Sequence, residues 1–141
     1  MPSKGSAEWN GDLQSGRGEF LAGDSITGNY SFKSRFEDGE GANPEQLIGA
    51  AHAACFSMAL SNMLSEAGNV PDSVKTEAVV TLKIVDGDPT ITKIALTTVG
   101  KVPGIDEDAF KQQAEAAKKG CPVSKALAGV GEITLDASLE A

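Results

Sequence analysis

The two cysteines are the residues of this chain best suited to making and breaking bonds, and each sits in a distinctive setting. Cys55 lies within an alanine-rich apolar run, Leu47-Ile48-Gly49-Ala50-Ala51-His52-Ala53-Ala54-Cys55-Phe56-Ser57-Met58-Ala59-Leu60. Cys121 opens a separate element as Gly120-Cys121-Pro122. A cysteine among alanines is by itself a small buried hydrophobe, and burial raises its pKa. Cys55 also falls roughly ten positions into its helix, beyond the first turn where the helix dipole favours a thiolate. A reactive Cys55 therefore needs a cation from elsewhere in the fold. Cys121 differs, because a position just before proline is at or near a helix N-terminus, where unpaired N–H groups stabilise a thiolate. That suits a leaving or resolving thiol. A sulfenic acid on Cys55 can condense with Cys121 to a disulfide, which an external dithiol reopens by exchange.

The cation comes from a short list. The chain has two arginines, Arg17 and Arg35, among its 12 basic residues. Arg35 ranks first, since it is expected to end a strand a short loop before the cysteine-bearing helix. Arg17 sits in a glycine-flanked segment, Ser15-Gly16-Arg17-Gly18, and ranks second. Glu45 can orient a guanidinium bidentately. It also has a simpler role as a negative charge at a helix N-terminus. Glu45 and Cys55 are about 15 Å apart along the helix axis, so they can share a site only through a long arginine side chain or through an antiparallel partner helix. His52, three residues before Cys55, suggests a Cys-His hydrolase, but within one helix the imidazole would have to reach sideways and neither cysteine lies on a nucleophile elbow. A packed or partly solvated histidine is the expectation. No cysteine or histidine spacing suits zinc, and no metal or cofactor is expected.

The elements that must position these residues can be read from periodicity and turn chemistry. Short strands are expected at Gly5–Asn10, Gly16–Ala22 and Asn29–Phe36, the last with Tyr30, Phe32 and Phe36 on one face. Asn43, Pro44, Glu45 and Gln46 form a helix start, with Gly68 as terminator after about Ala67. A strand over Val74–Val85, a turn Asp86-Gly87-Asp88-Pro89 and a strand over Thr90–Val99 make a hairpin. A second helix begins at Asp106 with an Ile105/Phe110 staple and ends at Gly120; a third runs from Cys121 to about Leu127, and a last strand covers Ile133–Leu139. This order predicts an α+β fold with antiparallel sheet, in one domain over 1–141.

Composition bounds the function. The formal charge of -8, with no Lys/Arg cluster, argues against nucleic acid or an anionic membrane surface as partner. The run Leu47–Leu64 is interrupted by Gly49, His52, Ser57, Ser61 and Asn62, so neither a signal peptide nor a membrane span is expected, and a cytoplasmic location follows. The first helix is apolar or small-sided around nearly its whole circumference, which predicts that a second subunit covers it. Phe56, Met58 and Leu60 are expected to line an apolar pocket near Cys55.

Asn43-Pro44-Glu45-Gln46 with the run through Leu60, together with Gly120-Cys121-Pro122-Val123-Ser124, resembles the osmotically inducible protein C (OsmC) and organic hydroperoxide resistance (Ohr) family. Ser34-Arg35-Phe36-Glu37, Ala51–Met58 and Pro103-Gly104-Ile105-Asp106 resemble its OsmC branch. The likeness covers nearly the whole chain. It implies an OsmC-like fold with antiparallel sheets wrapped around a long central helix in an intertwined homodimer. It also implies thiol-dependent reduction of organic hydroperoxides and hydrogen peroxide in oxidative or osmotic stress defence, with a lipoyl-type dithiol as reductant. By motif match, the resemblance makes Cys55 the peroxidatic cysteine, Cys121 the resolving cysteine, Arg35 the activating arginine and Glu45 its carboxylate partner. Arg17 stands where the setting is similar to the Ohr-branch arginine. Two other readings stay open: a carrier for acyl chains or lipids, and a structural protein with inert thiols.

Overall fold

The computed structural model describes residues 1–140 and divides into two compact units, Met1–Leu47 and the chain from Ile48 onward, with the boundary inside a helix. The first unit holds β1 (Gly5–Asn10), β2 (Arg17–Ala22) and β3 (Ile26–Tyr30), hydrogen-bonded antiparallel in the order β1-β2-β3. Its packing is aromatic. Gly18 pairs with both Trp9 and Tyr30, and the two rings meet with centroids 5.5 Å apart. A Cβ at Gly18 would lie 2.5 Å from the Tyr30 ring, so the glycine is what admits the pair.

Where a strand is expected through Phe36, β3 instead stops at Tyr30 and Phe32–Phe36 forms the one-turn helix α1. The cause is local. Ser31 caps the turn: Ser34 N–H donates to Ser31 Oγ at 3.1 Å and Ser31 N–H donates to Ser34 Oγ at 2.8 Å, a reciprocal capping box. A spacing of four residues puts Phe32 and Phe36 on one side of a strand but also on one face of a helix, and here their rings meet at 5.0 Å across a helical turn.

Helix α2 spans Pro44–Glu66. Asn43 Oδ1 accepts from Gln46 N–H at 2.8 Å, and Pro44 occupies the first helical position, where a missing N–H costs nothing. At the far end Gly68 takes φ 91° while Asn69 N–H donates to Leu64 O and Gly68 N–H to Ser65 O, a Schellman closure.

In the second unit β4 (Ser73–Val85) and β5 (Asp88–Lys101) form a long hairpin with a β-bulge at Thr81/Leu82. Its turn is the two-residue Asp86-Gly87, at φ 50° and 84°, rather than a four-residue loop; positive φ at both positions suits Asp-Gly and matches the strand twist. Helices α3 (Glu107–Gly120) and α4 (Pro122–Ala126) follow, then β6 (Glu132–Leu139). The expected all-antiparallel sheet is corrected here: β6 lies parallel to β5, from Lys93↔Glu132 to Gly100↔Leu139. A strand, two helices and a strand make a crossover, which returns the chain in its original direction.

Phe56, Leu60 and Leu64 of α2, four residues apart, are fully buried against Ile94 of β5 and Phe110 and Ala114 of α3. Burial of such side chains contributes about 1.5–3 kcal/mol each. Phe56 and Leu60 therefore belong to the core and do not line a pocket with Met58, which is 77% exposed on the other side of α2. Ala50, Ala51 and Ala54 share that exposed side. By length and composition α2 could cross a membrane, but one of its faces forms this core.

Candidate active site

The sequence-derived candidates form two pairs, one in each unit. In the first unit, Arg35 Nε lies 3.0 Å from Glu45 Oε1 and its Nη2 lies 3.1 Å from Oε2, a bidentate fork. Arg35 is presented by α1, not by the end of a strand, and its guanidinium carbon lies 5.5 Å from the centre of the Phe36 ring. Glu45 is the second residue of α2 and is buried, whereas Arg35 is about a third exposed. The loop between them is tied down by Ser34 Oγ, which donates to Ala42 O at 2.7 Å, and by Asn43 Nδ2, which donates to Ser34 O at 3.0 Å. A cavity of about 320 Å³ opens beside the guanidinium, walled by Trp9, Leu13, Tyr30, Phe32 and Phe36. Arg17, the other candidate cation, is exposed at the start of β2 and lines a separate, more polar hollow with Glu8, Asn10 and Glu19. Among the described residues it makes no ion pair.

The second pair is Cys55 and Cys121, both free thiols, one half-buried and the other fully buried. Cys121 stands at a break between helices. Its N–H donates to Ala117 O at 2.9 Å, closing α3, and its C=O accepts from Lys125 N–H at 3.1 Å, opening α4. Pro122 lacks the N–H that would continue α3 and fits the first turn of α4. Burial pushes the Cys55 thiol up, and hydrogen bonding to Cys121 pushes it further, against a smaller opposing influence from the Val123 N–H. Burial is also the largest single influence on Cys121 and would raise it. It is outweighed by the Cys55 thiol, by the Ser124 N–H and hydroxyl and by the Val123 N–H, so Cys121 is held below the ordinary thiol value.

The same unit holds a buried pair not apparent in the sequence. His52 Nε2 and Ser124 Oγ are 2.7 Å apart, 72 positions apart in the chain. His52 is fully buried, its Nδ1 has no hydrogen-bond partner, and burial lowers its pKa. The signal available was weak: Ser124 stands at the third helical position after Cys121, where a side chain can reach back to the capping residue. Among the described residues no three His, Cys, Asp or Glu side chains gather as metal ligands.

The sequence model of the family described as "OsmC-like protein" matches residues 37–136, and the chain belongs to this family. Its similarity to particular members is close. It is 51% identical to Peroxiredoxin OsmC of Escherichia coli over 139 residues, covering 97% of this chain and 96% of that protein. It is 34% identical to the organic hydroperoxide resistance protein OhrB of Bacillus subtilis over 96 residues, covering 68% of this chain and 69% of that one. The crystal structure of OhrB superimposes with a TM-score of 0.74 at 25% identity, covering 99% of this chain and 98% of OhrB.

Proposed function

We propose that this protein is a thiol-dependent peroxidase that reduces organic hydroperoxides, and hydrogen peroxide, through Cys55 and Cys121. The observation that carries the reading is the presence of two free thiols, Cys55 and Cys121, in a chain 51% identical to a peroxiredoxin over nearly its whole length. The Cys55 thiolate attacks the terminal peroxide oxygen, the O–O bond breaks, and the alkoxide leaves as an alcohol after taking a proton, with Cys55 left as a sulfenic acid. Cys121 then attacks the Cys55 sulfur, the S–O bond breaks, and water departs as the disulfide forms. An external dithiol, lipoyl-type by family resemblance, restores both thiols by exchange.

Because Cys55 is pushed up where it stands, peroxide attack needs a cation to hold its thiolate, and Arg35, fixed by Glu45, takes that role in this reading. Arg17 is the second choice. Residues 1–141 are read as one OsmC-like domain, with α2 as the long central helix of an intertwined homodimer. The exposed Ala50, Ala51, Ala54 and Met58 on α2, and the exposed Val79, Ile84 and Val85 on β4, support a covering subunit. The cytoplasm, which keeps thiols reduced, is the proposed location.

The test is peroxide consumption by the purified protein with a dithiol such as dihydrolipoamide. Cumene or tert-butyl hydroperoxide is expected to be turned over at least as fast as hydrogen peroxide, since apolar burial favours a carbon chain by about 0.8 kcal/mol per methylene. Binding of a fatty acid with no peroxide consumption would favour a carrier instead. Sedimentation at micromolar concentration is expected to show a dimer; a monomer would remove the shared-site arrangement.

A further inference from the structure

The two thiols differ in what can reach them. Cys121 has no exposed surface, whereas Cys55 is half-buried. The backbone fixes Cys121 in that position. Its N–H closes α3 on Ala117 O at 2.9 Å and its C=O accepts from Lys125 N–H at 3.1 Å to open α4, so the residue is pinned on both sides. Ala117 and Ser124, about one turn before and after it, are buried as well. The end of the Met63 side chain of α2 reaches to 3.5 Å from where a Cβ at Gly120 would stand. Bringing the Cys121 sulfur to the surface therefore means opening the junction of α3 and α4. A second subunit can cover more of this sulfur and never less. Cys55 has the opposite requirement, since a peroxide has to reach it for the protein to act at all.

In thiol–disulfide exchange, access decides which of the two sulfurs is attacked. The incoming thiolate approaches in line with the S–S bond it breaks, from the side away from the leaving sulfur. At Cys121 that side is closed by protein, because the whole residue is out of contact with solvent. At Cys55 part of the residue is open.

We propose that the external dithiol that recycles the protein attacks the sulfur of Cys55 rather than that of Cys121, so that Cys55 carries the mixed disulfide and Cys121 is the leaving group. The proposal rests on the peroxidase reading for the presence of a Cys55–Cys121 disulfide; the order of exchange comes from burial. The reductant's first thiolate forms an S–S bond to Cys55 as the Cys55–Cys121 bond breaks, and Cys121 departs with the electron pair. The reductant's second thiolate then attacks the reductant's own sulfur in the mixed disulfide, the bond to Cys55 breaks, and the reductant leaves as a cyclic disulfide. Two electrons pass from the dithiol to the protein, and the two protons of the dithiol end on Cys55 and Cys121. Cys55 thus meets both outside reagents, peroxide and reductant, while Cys121 reacts only within the protein.

The experiment forms the disulfide in the wild-type protein with diamide, which needs no peroxidase activity, and exposes it briefly to excess 2-mercaptoethanol. Acid stops the exchange, the remaining thiols are blocked with N-ethylmaleimide in urea, and peptide mass spectrometry reads which cysteine carries the mercaptoethanol and which the maleimide. The mercaptoethanol is expected on Cys55 in at least about tenfold excess. An adduct mainly on Cys121, or an even split, overturns the proposal. A second measurement follows the rate at which dithiothreitol reduces the disulfide at urea concentrations below the unfolding transition, and it gives a value even where Cys121 recloses the disulfide too fast for an adduct to accumulate. That rate is expected to stay within about twofold, because attack at Cys55 needs no opening of the fold. A rate that climbs steeply with urea shows that local unfolding uncovers the attacked sulfur, and overturns the proposal. An adduct on Cys55 in a protein that consumes no peroxide overturns the peroxidase reading and leaves the order of exchange standing. An adduct on Cys121 in a protein that turns peroxide over removes the order of exchange alone, and a protein in which neither diamide nor peroxide joins the two sulfurs removes both.

Discussion

The Arg35–Glu45 pair and the Cys55–Cys121 pair are held by opposite means. The ion pair sits at a half-exposed edge of the first unit, beside a sheet whose packing is a few aromatic rings over glycines, and two directed hydrogen bonds and a capped turn fix it. The thiol pair belongs to the unit that contains the apolar core; burial pushes Cys55 up, while at Cys121 neighbouring thiol, N–H and hydroxyl groups outweigh it. A charge placed by hydrogen bonds can be moved by one substitution in its partner. A thiol placed by a core is robust in position, and its ionisation is costly. In the proposed reading the core supplies location and the polar edge supplies charge.

The largest expected effect is loss of Cys55, the half-buried thiol of the pair. Cys55→Ser should abolish peroxide turnover, whereas Cys121→Ser should permit a single oxidation and block recycling through a disulfide; stopped-flow peroxide consumption and thiol counting distinguish the two. Equal first-turnover rates for wild type and Cys55→Ser would sink the assignment.

Next, Arg35→Ala should raise the apparent pKa of Cys55 by about one to three units and slow peroxide attack accordingly, because an opposite charge nearby favours the ionised thiol to that extent. Arg17→Ala should do less. Alkylation of Cys55 against pH in both variants measures this, and a larger shift from Arg17→Ala would reverse the ranking.

The contrast in packing can be broken with two glycines. A Cβ at Gly100 would run into the ring of Phe110, which is fully buried in the core, so Gly100→Ala should cost about 1–3 kcal/mol. A Cβ at Gly28 would lie 2.6 Å from the Phe20 ring, but that ring is half-exposed and can swing aside, so Gly28→Ala should stay within about 1 kcal/mol. Urea midpoints that come out equal would remove the distinction between the two sheets.

The smallest effect concerns His52. Burial lowers its pKa in the folded protein, so its contribution to stability is fully present above the ordinary imidazole value of about 6.5 and is lost as pH falls from there toward the lower folded value. The wild-type urea midpoint should therefore fall more steeply between about pH 7 and pH 5 than that of His52→Gln; identical slopes would show that the imidazole does not titrate with unfolding.

Elements whose signals lie within a few residues were legible without coordinates. The Asn43–Gln46 start and Gly68 end of α2, the Asp106 cap of α3 and the Cys121-Pro122 break before α4 all depend on neighbours one to five positions away. The same local chemistry was present at Ser31 and Ser34, but aromatic spacing compatible with both a strand and a helix concealed α1. For the site, chemistry restricted the thiols to Cys55 and Cys121 and the guanidinium to Arg35 or Arg17 before any fold was known, whereas Glu45, one of 20 acidic residues, stood out by its place at a helix start and by the family resemblance.

Pairing across the chain was a matter for tertiary structure. The parallel docking of β6 on β5, the burial of Phe56 and Leu60 away from any substrate pocket, and the meeting of His52 with Ser124 all join residues tens of positions apart. Local propensity carries no information about such partners, because they are chosen by which faces must leave water together and which buried polar atoms must then find each other. The sequence by itself determined which residues could react and where the helices begin and end. Only the folded core decided the surroundings that push Cys55 up and Cys121 down, because the burial and the nearby N–H and O–H groups exist only once α2, α3 and α4 are packed.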